Sequence, residues 1–396
     1  MTRAPEVLDV LVVGAGAVGG AIALGAARQG LKVGLLEQDE APRFDALMPV
    51  TRVVTLNQAS MGFLAELGVR EALEARRAHG FSGMTVWDAH GPGHIRFEAD
   101  ELGVPALGWT VENAALEAVL WGAMEAAGVQ LWPATRWHTL DSRPERVDLY
   151  GAGARALASA RLVVAADGAH SPLRRRMGIA VAEQPYFARG VVATVATAQP
   201  HRDTAWQRFV DDQVIAFLPL ADGRCSIVWS QPDHVAEETL ALGDDAFRRA
   251  LERVSDGCLG AITETSPRFA FPLIGRHARD YHAGRVVLAG DAAHTIHPLA
   301  GQGLNLGLAD ARALVDGLHG PARRDPGGET VLRAYARARR AENGFMLHAM
   351  DGFRRLFGAR LAGLPELRGL GVRLVDGAGP VKRRLALRAF GLGRGA

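Results

Sequence analysis

The chain of 396 residues contains two cysteines, Cys225 and Cys258, and two lysines, Lys32 and Lys382. Two lone thiols fit no metal-ligand spacing and no disulfide framework, and they suit a reducing compartment. Basic residues are almost all arginine, and 45 of them against 43 acidic residues leave a formal net charge of +2. Such a balance argues against binding to nucleic acid, which needs an excess of positive charge. Long hydrophobic runs are also missing: the strongest candidate, Val10–Ala27, is broken repeatedly by glycine and does not read as a membrane span. A basic stretch followed by an apolar core and a cleavage site is not found at the N-terminus. Together these absences predict a cytoplasmic protein, with peripheral attachment to a membrane as the alternative. A hydrophobic content of 48% is enough to bury a large core in two domains or more.

What is present begins with VLVVGAGAVGG (Val10–Gly20). Val7–Val13 is a continuous apolar run, as a buried parallel strand should be, and Ala17–Gln29 is small and apolar at helical spacing. Lys32–Glu37 reads as the next strand. Gly14, Gly16 and Gly19 therefore form G-x-G-x-x-G between a strand and a helix, with Ala17 opening the helix. Glycine allows the tight turn, the close approach of backbone to a pyrophosphate and the packing of helix on strand, while free N–H groups and the helix dipole hold the phosphates. Glu37 ends the second strand, where a carboxylate accepts ribose hydroxyls and repels a 2′-phosphate. This turn predicts a bound dinucleotide without choosing between FAD and NAD.

A second glycine-rich stretch, LAGDAAHTIHPLAGQGLNLGLAD, spans Leu288–Asp310. Its strand RVVLAGD puts Asp291 at a carboxyl end, where ligands sit in open α/β sheets. A carboxylate there suits hydroxyls rather than phosphate, and the helix starting near Gln302 offers free N–H groups to a ring that becomes negative on reduction. One long cofactor held at both ends accounts for the two turns, and a flavin has the required parts: a ribityl chain and an anionic reduced ring.

Between about Val191 and Phe271 the pattern changes to alternating β segments such as GVVATVAT, QVIAFLPL and CSIVWS, with one helix near Asp244–Val254. The expected fold class is α/β, with a FAD-binding Rossmann-like domain, an inserted sheet-rich substrate domain and a C-terminal helical tail. The expected boundaries are 1–75, 100–182 and 273–345 for the first domain, 76–99 and 183–272 for the second, and 346–396 for the tail. From about Asn343 the chain reads as helical and basic. Met350–Ala396 carries ten basic residues against three acidic ones. Interleaved Leu, Phe and Val allow amphipathic helices, which either pack on the body, form a homo-oligomer contact, or dock to a lipid or a biosynthetic complex.

GAGAVG, ADGAHSPLRR (with Asp167, Gly168, Ser171 and Arg174) and AGDAAHTIHP (with Gly290 and Asp291) together resemble the three motifs of the class A flavoprotein aromatic hydroxylases, whose fold is that of p-hydroxybenzoate hydroxylase. HPLAGQGLNLGLAD, TRVVTLNQAS, TVENAALEAVL and AFLPLADGRCSIVWS are similar to the branch containing the ubiquinone-biosynthesis hydroxylases. The resemblance covers about residues 5 to 345. It implies a FAD-dependent monooxygenase that hydroxylates an aromatic ring with O2, using NADH or NADPH as a transient donor. No second strand–G-x-G-x-x-G–helix unit is present for that donor. It implies that Gly14, Gly16, Ala17, Gly19 and Glu37 hold the adenosine half. Arg52, Asn113 and Asp167 contact the cofactor from neighbouring loops, and Asp291 binds the ribityl region. Pro298, Gly301, Gln302, Gly303, Leu304 and Asn305 line the flavin ring.

His297 and Pro298 are the candidate catalytic pair at the ring's edge, where His297 either positions substrate or donor or simply hydrogen-bonds a turn. His294 reads as structural, and Arg174–Arg176 as a solvated helix start unless Arg174 serves the D-G motif. Phe217 and Pro219 are the candidate substrate residues, on a strand expected to cover the substrate. Arg208 reads as a surface residue rather than a ligand. No metal is expected. The expected substrate is a polyprenylated phenol. The alternatives are a soluble aromatic or a secondary metabolite, then a non-catalytic flavin-binding scaffold of a biosynthetic complex. A NAD-dependent dehydrogenase ranks last, because it leaves Asp291 and the D-G motif without a role.

Overall fold

The computed structural model describes residues 6–45, 52–89, 94–153, 156–296, 302–358 and 379–392. Val7–Val13 forms a central strand of a sheet that has eight strands among these residues. Ala156–Ala165 and Val33–Leu36 flank it in parallel, and Val286–Leu288 and Gln130–Trp132 extend the parallel run outward. Strands covered on both faces have no polar face to display, which is why these segments read as unbroken apolar runs.

Helix Ala17–Arg28 follows the first strand and is wedged between helices Asn113–Ala126 and Gln302–Gly317. Its small residues permit the close fit. A methyl group at Gly25 would lie 2.7 Å from Val315, and one at Gly20 would lie 3.2 Å from Leu120. At the foot of the helix, Gln29 Nε2 donates to the carbonyl of Val315 at 2.7 Å.

A second sheet has nine strands among the described residues. Its central order is Phe269–Ala278, Val181–Thr197, Cys225–Pro232, Gln213–Pro219 and Thr204–Val210, all antiparallel. Gly83–Asp88 joins it by parallel pairing with Thr204–Val210, and His94–Glu98 pairs with Gly83–Asp88. Helix Asp244–Ser255 covers one face, burying Phe247 and Leu251 against Phe217, Ile227 and Trp229. Val53–Asn57, Gly108–Glu112 and His79–Phe81 form a small third sheet. Asn57 caps the helix Gln58–Glu66 by accepting from the Ser60 amide at 2.9 Å.

Three expectations change. The last long helix, Glu329–Gly358, begins well before Asn343, because Leu332 and Tyr335 give its first turns a buried face; the Tyr335 hydroxyl donates to the Leu288 carbonyl at 2.9 Å. Arg208 is not a surface residue: it donates to the Val254 carbonyl at 3.0 Å and closes the C-terminal end of helix Asp244–Ser255. Arg174 is buried rather than solvated. Within the C-terminal region, the helix Gly379–Ala389 packs on the body, with Ala386 and Phe390 in a cluster with Phe81, Leu107 and Ala205. No helix among the described residues is long and apolar enough to cross a membrane.

Candidate active site

A cavity of about 1050 Å³ runs between the two large sheets. Its walls include Gly16, Ala17 and Gly19 of the first turn, Arg52, Asn113, Asp291, and Gly303, Leu304 and Asn305 of the helix that starts at Gln302. Segments spread over nearly 300 residues of sequence thus face one space. His297, Pro298 and Gly301 lie outside the described residues.

The first turn is shaped by backbone contact. Gly14 has φ +106°, and a Cβ there would lie 2.3 Å from the Ala166 carbonyl oxygen; one at Gly19 would lie 2.0 Å from the Gly14 oxygen. Only glycine fits either place. Gly16 differs: a Cβ there would find only Glu117 Oε1, at 3.8 Å, so its surface is open to an incoming ligand. Glu37 holds the turn from the next strand, its Oε2 accepting from the Ala15 amide at 2.6 Å and its Oε1 from the Asp39 amide at 3.0 Å.

Glu117 was not read from the sequence, although it lies one helical turn after Asn113 on the same face. Asn113 Nδ2 donates to Glu117 Oε1 at 2.8 Å. Burial raises the Glu117 pKa above the usual carboxylate range, and the Asn113 bond and the Arg52 charge oppose that rise.

Asp167 stands near the beginning of the loop after strand Ala156–Ala165. Its Oδ2 accepts from the Leu173 amide at 3.1 Å, while Oδ1 is buried with no hydrogen-bond partner. Burial raises its pKa, against the opposing effects of Ser171 and the Leu173 amide. Arg174 ties this loop to the Asp291 turn, donating to the Ala292 carbonyl at 2.7 Å and the Ala169 carbonyl at 2.9 Å. Asp291 itself sits in the one-turn segment Gly290–Ala292, exposed toward the cavity. Asn305 is buried and bonded on both sides: Oδ1 accepts from the Asn57 amide at 2.9 Å and the Ser60 hydroxyl at 2.7 Å, and Nδ2 donates to the Thr55 carbonyl at 2.9 Å.

Behind the Asp291 turn lies a buried polar network that sequence reasoning also missed. Asp310 accepts from the Gly290 amide at 3.0 Å, Arg339 Nε at 2.7 Å and Asn343 Nδ2 at 3.0 Å, and pairs with His294 Nε2 at 2.6 Å. Although burial acts to raise its pKa, His294 and Arg339 bring it down to about 2. His294 is therefore structural, stacked on Tyr281.

Much of the remaining lining is apolar, with Phe81, Met84, Phe97, Leu107, Ala216, Leu218, Phe269 and Phe271 alongside the uncharged Thr194, Gln207, Ser226 and Ser266. Here the substrate expectation is corrected. Phe217 and Pro219 lie on the opposite face of their strand, with Phe217 in the core under helix Asp244–Ser255, while Ala216 and Leu218 meet the cavity. His79, His201 and Asp203 have ligand atoms within 4.8 Å of one another. Both His201 ring nitrogens are already engaged, Nδ1 by the Asp203 amide at 3.1 Å and Nε2 by the Leu220 carbonyl at 3.2 Å, so this group fastens a turn.

A glycine turn at one end, a carboxylate-bearing turn and helix start at the other, and an unpartnered buried carboxylate between them fit FAD, and they define a flavoprotein of the two-sheet hydroxylase type. The FAD binding domain family matches residues 7–346, and the chain belongs to that family. It is 36% identical over 399 residues to the 3-demethoxyubiquinol 3-hydroxylase of Escherichia coli (strain K12), covering 99% of this chain and 100% of that one. To the ubiquinone hydroxylase UbiL of Rhodospirillum rubrum it is 32% identical over 395 residues, covering 98% of this chain and 90% of that one. The structure of PqsL of P. aeruginosa in complex with 2-aminobenzoylacetate superposes with a TM-score of 0.77 at 26% identity, covering 93% of this chain and 100% of that one. The chain is thus a FAD-dependent aromatic-ring monooxygenase of the ubiquinone-biosynthesis hydroxylase branch, with NAD(P)H as the usual donor of its class.

Proposed function

We propose that the substrate is a polyprenylated phenol, whose ring lies at the Asp291–Asn305 end of the cavity and whose tail follows the apolar strands. The observation that carries this reading is the chemistry of the lining. The arginines that line the cavity among the described residues are Arg52, beside Asn113 and Glu117, and Arg276, whose Nε donates to Glu183 at 2.8 Å. A soluble aromatic acid needs an arginine to pair with its carboxylate, whereas the remaining lining is mostly aromatic and aliphatic carbon, with Thr194, Gln207, Ser226 and Ser266 as uncharged polar groups.

When bound, FAD supplies the redox and oxygen chemistry. The Gly16 amide, with the free amides at the start of helix Ala17–Arg28, would hold the pyrophosphate in the turn that Gly14 and Gly19 shape, and Glu37 the ribose hydroxyls; the Gly14 amide itself is donated to the Leu36 carbonyl at 2.8 Å. Arg52, Asn113 and Asp167 would contact the cofactor from its flank. Asp291 would accept from the ribityl hydroxyls, and the free N–H groups at the start of the helix at Gln302 would favour negative charge on the ring. His297 and Pro298 are proposed to position substrate or donor at the ring's edge. The apolar walls exclude water from the reacting centre. Phe269 and Phe271 line the cavity yet remain 53% and 42% exposed, which suits a substrate taken from a lipid phase by a peripherally attached enzyme.

The test is turnover and binding with phenols that differ only in prenyl length. Each buried CH2 contributes about 0.8 kcal/mol, so one isoprene unit is expected to tighten binding more than tenfold. A flat response with tight coupling on a small benzoate would overturn the reading. Bound flavin with no hydroxylated product from any phenol would favour a scaffold.

A further inference from the structure

The lining of the cavity includes a segment far from the rest of it in sequence. Ala389 and Phe390, at the end of helix Gly379–Ala389, both line it. The Phe390 ring is 7% exposed and meets Phe97 edge-on, with centroids 5.7 Å apart and planes at 75°. The same cluster contains Phe81, Leu107 and Ala205, which also line the cavity and belong to three different strands or loops.

The segment touches both large parts of the molecule. The Gln58 amide donates to the Phe390 carbonyl at 3.0 Å, at the start of helix Gln58–Glu66. On the other side Lys382 pairs with Glu101 at 3.2 Å and lies 5.7 Å from the Phe97 ring centre. Next to Phe390, Gly391 has φ +70°, and a Cβ there would lie 2.9 Å from the Asn57 side chain. Asn57 in turn donates its amide to Asn305 Oδ1, so the turn that carries Phe390 is tied to the helix Gln302–Gly317.

Strand residues in the lining, such as Ala216, belong to a strand paired with a neighbour on each side. Phe390 is held by one short helix and can be altered without breaking a sheet. The space it bounds is also limited. A volume of about 1050 Å³ is near the upper end for one small-molecule site, yet it serves cofactor and substrate together.

We propose that Phe390 is a specificity-determining residue: its ring narrows the apolar part of the lining beside Phe81, Phe97 and Leu107 and sets how long a substituent on the phenol can be accommodated. This rests on the polyprenylated-phenol reading for the kind of substituent, and the experiment separates the two. FAD-loaded native protein, Phe390→Ala, Phe390→Leu and Phe390→Trp are titrated with phenols carrying zero to several isoprene units. Intrinsic tryptophan fluorescence reports binding, and product formation is followed in parallel. For Phe390→Ala, and less so for Phe390→Leu, the longest accommodated tail is expected to grow by about one isoprene unit. The ratio of long-tail to short-tail affinity should rise about tenfold or more, as expected for newly buried methylenes. Phe390→Trp should shift the limit the other way.

A purely structural role predicts instead one common factor at every tail length, and that result would overturn the proposal. If native binding rises with length and stops at the same length in all variants, the polyprenyl reading stands and the role of Phe390 falls. A flat native response with shifted variants would support Phe390 and remove the polyprenyl reading. Flat responses throughout would remove both.

Discussion

Asp310 and Asp167 each stand behind a turn at the carboxyl end of a parallel strand, and both are buried. Around Asp310 every neighbour answers the charge: the Gly290 amide, His294, Arg339 and Asn343. Its pKa falls to about 2. Around Asp167 the Leu173 amide takes one oxygen and leaves the other buried without a partner, and the pKa rises. The same side chain is a fastening in one place and an unsatisfied acceptor in the other. Protein partners alone distinguish them, and the unsatisfied one is the one beside the cavity, where a ligand donor would complete it.

Four predictions sharpen or break that contrast. The largest effect is expected for Asp310→Asn, which takes from Arg339 the fully buried one of its two carboxylate partners and disturbs the bonds from Gly290, His294 and Asn343. Denaturant unfolding should show a loss of about 3–5 kcal/mol; a loss below about 1 kcal/mol would mean that the network is dispensable. Asp291→Ala comes next. It removes a charged acceptor contributing roughly 1.5–3 kcal/mol, so FAD affinity by flavin fluorescence should weaken by about one to two powers of ten with the fold retained. Native-like affinity would place the ribityl chain elsewhere.

The third prediction concerns acid. Because the folded Asp310 pKa of about 2 is below its unfolded value, its contribution to stability is fully present above the unfolded value and is lost as pH falls toward 2. The acid limb of the unfolding curve should flatten in Asp310→Asn. The smallest effect is Asp167→Asn. The raised Asp167 pKa means that the ionised carboxylate weakens the cofactor-free fold at neutral pH, so the variant should melt a few degrees higher by calorimetry while binding FAD less well. A lower melting temperature would show that Asp167 is a fastening after all.

How much of this was legible in the sequence depended on whether the chemistry was local. The first turn and its helix were legible because glycine is the residue that allows Gly14 φ +106° and the contact of Gly19 with the Gly14 oxygen. The Asp310 network was not, since its members come from three separated segments. A signal did exist: Asp310 shares a helix face with the buried Gly307 and Leu314, an unusual place for a carboxylate. Phe217 shows a different limit. Alternation along a strand gives the period, but its phase is ambiguous when one face meets a helix and the other a cavity, since both faces are apolar. Arg208 and Phe390 carried no local signal at all. Each acts on a segment at least 40 residues away.

The seating of the first helix has a consequence for how the protein is made. Gln29 and Gly25 need Val315 as their partner, so a turn completed within the first 30 residues waits for a residue 286 positions later. At about 5–20 residues per second on the ribosome, that delay is roughly 15–60 s. For that interval a helix of alanine, glycine and leucine has one flank without its neighbour. A nascent chain of this protein therefore carries an uncovered apolar face for most of its synthesis, and holdase chaperones have time to reach it.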